Sequence, residues 1–110
     1  MIGLRLYMAQ RISALLMAPF VIGHLALMIY AIQGGLSAGE ILGRTQGSLL
    51  WFMFYGGFVC AVSVHGAIGL RTVAYEWGEL KGRPLEAFMW AVGIGLFTMG
   101  ARAVWAVTFA

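Results

Sequence analysis

Three stretches of this chain carry no aspartate, glutamate, lysine or arginine for long enough to cross a membrane. Residues 12–32 are uncharged over 21 positions and residues 48–70 over 23. At 1.5 Å per residue, each clears the roughly 20 residues needed to traverse about 30 Å of hydrocarbon. Residues 87–101 are uncharged for 15 positions, Arg102 interrupts, and residues 103–110 are apolar again. This reads as a third span whose arginine snorkels to the far interface. The expected fold is all-α: three transmembrane helices over about residues 12–33, 48–71 and 86–109, one membrane-anchor domain covering residues 1–110.

Composition closes off the rival classes. Apolar residues make up 62% of the chain and charged residues 10%, with 7 basic and 4 acidic side chains. A water-facing enzyme surface needs far more charge than that, and a disordered tail needs far lower hydrophobicity. The net charge of +3 is spread singly between apolar runs, with no basic patch, so no nucleic-acid partner is expected. The single cysteine, Cys60, has no partner for a disulfide and no zinc or iron–sulfur spacing, and reads as a small packing residue.

The charges that remain orient the chain. The first run is longer than a signal-peptide core and two more follow, so it reads as a retained helix. Three spans place the N-terminal arm and the second connection together, with Arg5, Arg11, Arg71, Lys81 and Arg83 on that side against Arg44 and Arg102 opposite. The positive-inside rule then puts the N-terminus in the cytoplasm and the C-terminus across the membrane. Residues 33–47 hold Gly34, Gly35, Gly39, Gly43 and Gly47 and read as a turn-rich link; residues 71–86 read as a more polar one. Pro84 and Glu86 suit a helix start, and Pro19 falls inside the first span.

An ionisable group inside a membrane is expensive, which makes His24 and His65 the residues to explain. Steps of four along the second span place Gly57, Ala61, His65 and Gly69 on one stripe. Two readings fit it. A flat macrocycle could lie in the groove beside an imidazole ligand, or the stripe could be a small-residue packing seam for another helix. Glu76, eleven residues on, returns to within about 20° of His65. His24 stands among Met17, Phe20, Leu27 and Met28, which favours packing. Counted from the ends of the apolar runs it lies about 9 Å deeper than His65, so the two should not clamp one iron. Arg11 and Ser13 open the first span with donors suited to a quinone carbonyl or a haem propionate, although Arg11 also fits an interfacial anchor.

Two motifs resemble a known family. Gln10-Arg11-Ile12-Ser13 is similar to the His-Arg-x-Ser start of the cytochrome b membrane-anchor subunit of succinate dehydrogenase and fumarate reductase. His65-Gly66-Ala67-Ile68-Gly69-Leu70-Arg71 followed by Glu76 resembles that family's His-x3-Gly-x-Arg-x4-Asp. The likeness spans nearly the whole chain, with Gln10 standing for His and Glu76 for Asp. It implies a bacterial inner (cytoplasmic) membrane subunit, multi-pass, that serves electron transport and the tricarboxylic acid cycle and does no dicarboxylate chemistry itself.

The resemblance also implies roles residue by residue. His65 takes the place of a haem b axial ligand. Arg71 matches the arginine near the haem propionates. Arg11 and Ser13 match the polar pair beside the pocket for ubiquinone or menaquinone, and Glu76 an acid near its quinone end. His24 corresponds to a second-haem ligand found in five-span relatives only. The implied partners are a flavoprotein subunit, an iron–sulfur subunit, a second membrane-anchor chain and the lipid bilayer. The alternatives are a haem-free structural anchor of such a complex and an unrelated three-span membrane protein.

Overall fold

The computed structural model describes residues 3–109 as four helices: α1 (Leu4–Gly34), α2 (Ala38–Thr45), α3 (Leu49–Gly78) and α4 (Arg83–Thr108). The three long ones are apolar and long enough to cross a membrane. No strand occurs among the described residues. The bundle is 47 Å long and 24 by 22 Å across, close to the full thickness of a bilayer with its headgroups.

Helix α3 is the centre of the bundle, antiparallel to both neighbours, with its most extensive contact against α4 and a lesser one against α1. Small residues make the α3–α4 approach possible. At Gly100 an added Cβ would stand 2.6 Å from Val59 Cγ1, and at Gly93 it would stand 3.3 Å from Ala67 Cβ. In lipid, where apolar surface has no reason to hide, such backbone proximity is what holds helices together. Helix α1 accordingly buries a single described residue, Ser13, and offers its leucines and isoleucines to the surroundings.

Both connections differ from expectation. The turn-rich link contains α2, an eight-residue helix capped by Ser37, whose Oγ accepts the Glu40 N–H at 3.2 Å. The Ser-x-x-Glu spacing of a capping box was present in the sequence. Thr45, at the end of α2, donates to the Val107 carbonyl at 2.7 Å, and the Gly47 N–H donates to the Thr108 carbonyl at 2.6 Å. Carbonyls that the end of α4 leaves without helical partners are satisfied this way.

The second connection is much shorter than the polar stretch of the sequence. Helix α3 continues past Arg71 to Gly78, Glu79 takes the left-handed conformation, and α4 begins at Arg83 after Gly82 at φ 69°. Charged residues beyond the hydrocarbon continue the helix because nothing in residues 71–78 breaks it. Cys60 is exposed, not packed inside.

Candidate functional site

The candidate residues were drawn from two separate segments, and the structure brings one pair of them together. His65 on α3 faces α1, with Nδ1 3.4 Å from Ser13 Oγ. The Ser13 hydroxyl also donates to the Gln10 carbonyl at 3.0 Å. Ser13 is 4% exposed, whereas the imidazole remains partly accessible. One turn nearer the N-terminus of α1, Gln10 lies against Gly69, and its Oε1 is buried without a hydrogen-bond partner among the described residues.

The small-residue stripe is a seam. Phe20 fills the space above Gly57, its Cζ 2.9 Å from where a Cβ would stand, and Gln10 fills the space above Gly69. Ala61 is buried. The track is therefore covered by α1 at Gly57 and Gly69 and closed at the buried Ala61. Only the accessible part of His65 remains to meet a ligand.

His24 is remote from this pair. It lies eleven residues beyond Ser13 on α1, about 16 Å along the axis, more than the 9 Å inferred from the apolar runs. The difference arises because packing sets the register of α1 against α3, level at Ser13 and His65, and the positions of the charges do not. The His24 ring meets Phe58 edge-on at 5.5 Å, in a cluster where Phe20 stacks on Phe58 and abuts Phe54. It borders a cavity of about 290 Å³ lined by Tyr55, Phe58, Gly100 and Val104. That is at the floor of what a drug-sized ligand occupies, and a tetrapyrrole is bulkier. Within this chain the described ring contact of His24 is with Phe58.

Arg71 is also placed by packing. It lies 240° around α3 from His65 and turns to α4, where Nε and Nη2 donate to Glu86 Oε1 at 3.2 and 2.8 Å. The sequence reading gave Glu86 only a helix-start role. An acid at a helix N-terminus opposite an arginine at the end of the preceding span was the available signal. Arg11 and Ser13 do not form a joint site: two residues apart on a helix, they face about 200° away from each other. Arg11 is exposed, its guanidinium 5.9 Å from the Tyr7 ring centre. Glu76 is exposed on the projecting end of α3.

A groove of about 540 Å³ along α3 and α4 is lined by Ala67, Met89, Gly93 and Phe97. Its polar member Ser63 donates to the Val59 carbonyl at 2.7 Å, and none of the candidate residues lines it.

No group of three or more His, Cys, Asp or Glu able to hold a bare metal ion occurs among the described residues. Haem iron asks less of a protein, one axial side chain per face. His65, a half-buried imidazole, fits that demand, and the buried Gln10 Oε1, with no partner among the described residues, lies one turn along α1 from its level.

Comparison with known proteins places these features in a family. The sequence model described as succinate dehydrogenase/fumarate reductase transmembrane subunit matches residues 2–107. No curated protein and no solved structure matches the chain at a significant level.

Proposed function

This chain belongs to the succinate dehydrogenase/fumarate reductase transmembrane subunit family, a multi-pass membrane anchor of that complex, and from that premise we propose that it binds haem b and forms part of the quinone site. His65 supports the haem reading. It is half-buried and faces α1 beside the buried Ser13 hydroxyl, while His24, equally half-buried, meets Phe58 edge-on about 16 Å away. His65 supplies one axial ligand. The second comes from a partner chain, since His24 lies at the wrong depth.

Haem b, when bound, supplies a one-electron relay between the iron–sulfur subunit and quinone. The chain's own residues set its surroundings. Arg71, paired with Glu86 on the α4 side, ties the end of α3 to the start of α4 and so holds the helix that carries the imidazole. Apolar helices exclude water around the imidazole. Arg11, exposed at nearly the same depth, donates to a ubiquinone or menaquinone carbonyl arriving from the membrane side of α1. Glu76, on the projecting end of α3, serves as a proton carrier toward that quinone. Ser13 faces away from Arg11 and belongs with His65.

In this reading the ends of α1 and α3 that carry Arg5, Arg11 and Arg71, with Lys81 in the connection to α4, face the cytoplasm of a bacterium and dock the flavoprotein and iron–sulfur subunits. A reduced-minus-oxidised spectrum of the purified complex, with haem counted by pyridine haemochrome, tests the proposal. One b-type haem lost on His65→Ala supports it. A complex with full subunit stoichiometry and no haem band leaves a structural anchor.

A further inference from the structure

We infer that Ser13 is a positioning residue: it fixes the proton of His65 on Nδ1 and so leaves Nε2 free to bind iron. The inference rests on the reading of His65 as a haem ligand and adds a residue to it.

A serine hydroxyl has one hydrogen to give and lone pairs to receive. The Ser13 hydrogen is directed to the Gln10 carbonyl 3.0 Å away, which can only accept. Toward His65 Nδ1, at 3.4 Å, Oγ is therefore left as an acceptor. A neutral imidazole carries its proton on one nitrogen and its lone pair on the other. With Nδ1 as the donor, the lone pair is on Nε2. Metal-bound histidines are held in this way, the distal N–H tied to an acceptor that fixes tautomer and ring orientation.

Three features make the acceptor dependable. Ser13 is 4% exposed and is the one buried described residue of α1, so water does not compete for Oγ. Its bond to Gln10 is local to the helix, three residues back, and survives small movements of α3. The 3.4 Å separation is longer than an ordinary N–H···O bond, so the contact steers the ring without pulling it from its packing. Ser13 also faces about 200° away from Arg11, which removes it from any site built on that arginine.

The test uses the intact complex with Ser13→Thr, which keeps the oxygen, and Ser13→Val, which has the same shape without it. The threonine variant should match wild type in haem per complex, midpoint potential and the ferric haem signal in low-temperature electron paramagnetic resonance. The valine variant should hold haem about tenfold less tightly, the lower end of what loss of an outer-shell partner costs. Its ferric signal should move and its midpoint potential should rise, because an imidazole without its acceptor donates less charge to ferric iron. Identical spectra, potentials and haem retention in the two variants would overturn the role of Ser13 while the haem lost on His65→Ala still identified the ligand. Haem retained in full by His65→Ala would overturn both readings.

Discussion

Arg71 and Glu86, one near the end of α3 and the other in the first turn of α4, meet at a single carboxylate oxygen, with Nη2 at 2.8 Å and Nε at 3.2 Å. The arginine side chain is 10% exposed and the glutamate 47%. Glu86→Ala leaves a nearly buried guanidinium without this counter-charge. Breaking a fully buried pair costs about 3–5 kcal/mol, and the exposure of Glu86 brings the expectation down to about 1–3 kcal/mol. Denaturant unfolding of the detergent-solubilised complex measures it. Replacing both residues, Arg71→Met with Glu86→Leu, should recover most of the loss.

Gly100 touches a residue that cannot yield. A methyl there would stand 2.6 and 2.9 Å from the two Val59 methyls and 3.3 Å from its Cβ, and a β-branched side chain in a helix has one favoured rotamer. Gly100→Ala should cost about 1–3 kcal/mol, as overpacking does, and Val59→Ala in the same chain should restore most of it. Gly95 meets nothing within 4 Å, so Gly95→Ala should be neutral or stabilising by up to about 1 kcal/mol. Thermal unfolding of the three variants in parallel decides the point.

Thr45 is 1% exposed and its hydroxyl donates to the Val107 carbonyl at 2.7 Å. Thr45→Val keeps the shape and strands a buried carbonyl at the end of α4. The expected loss is about 1–3 kcal/mol. Hydrogen exchange should show it as faster opening of α2 and the last turn of α4, with the middle of α3 unchanged.

The two histidines should separate in haem content. His65→Ala is expected to abolish the reduced haem band in an assembled complex. His24→Ala removes an edge-on aromatic contact at 5.5 Å and should lower stability while leaving haem in place. Loss of all haem in the His24 variant would reassign the ligand.

Arg11→Ala should leave assembly and haem intact, because Arg11 is exposed and stands 5.9 Å over the Tyr7 ring, a contact worth little at the surface. It should raise the KM for quinone and lower kcat/KM by about tenfold, the worth of a charged hydrogen bond to a carbonyl. Steady-state quinone kinetics with the purified complex supply the check.

Much of this architecture was legible before any coordinates. Three uncharged runs dictate three helices because unsatisfied backbone groups cannot be left in hydrocarbon, and a run's length is a property of neighbouring residues. Helix α2 was not read from the sequence, where five glycines marked a link, although Ser37 and Glu40 three positions apart carried its capping signal. His65 could be singled out because a polar side chain within an apolar run is visible by itself, whereas Arg71 was picked out by the resemblance of its motif.

Which of those residues meet was decided by packing between helices, over separations from 15 positions for Arg71 and Glu86 to 52 for Ser13 and His65. Gly57 and Gly69 could serve a ligand or a helix, and the rings and amide of α1 took the space. Arg11 and Ser13 looked like one site and face opposite ways. Ser13 joins His65, and Arg71 joins Glu86. Hydropathy sets how deep a helix sits only to within a turn or so, because neighbouring apolar side chains are nearly equivalent to lipid. Register between helices is set by bulky side chains seating over small ones, and that choice needs both partners at once.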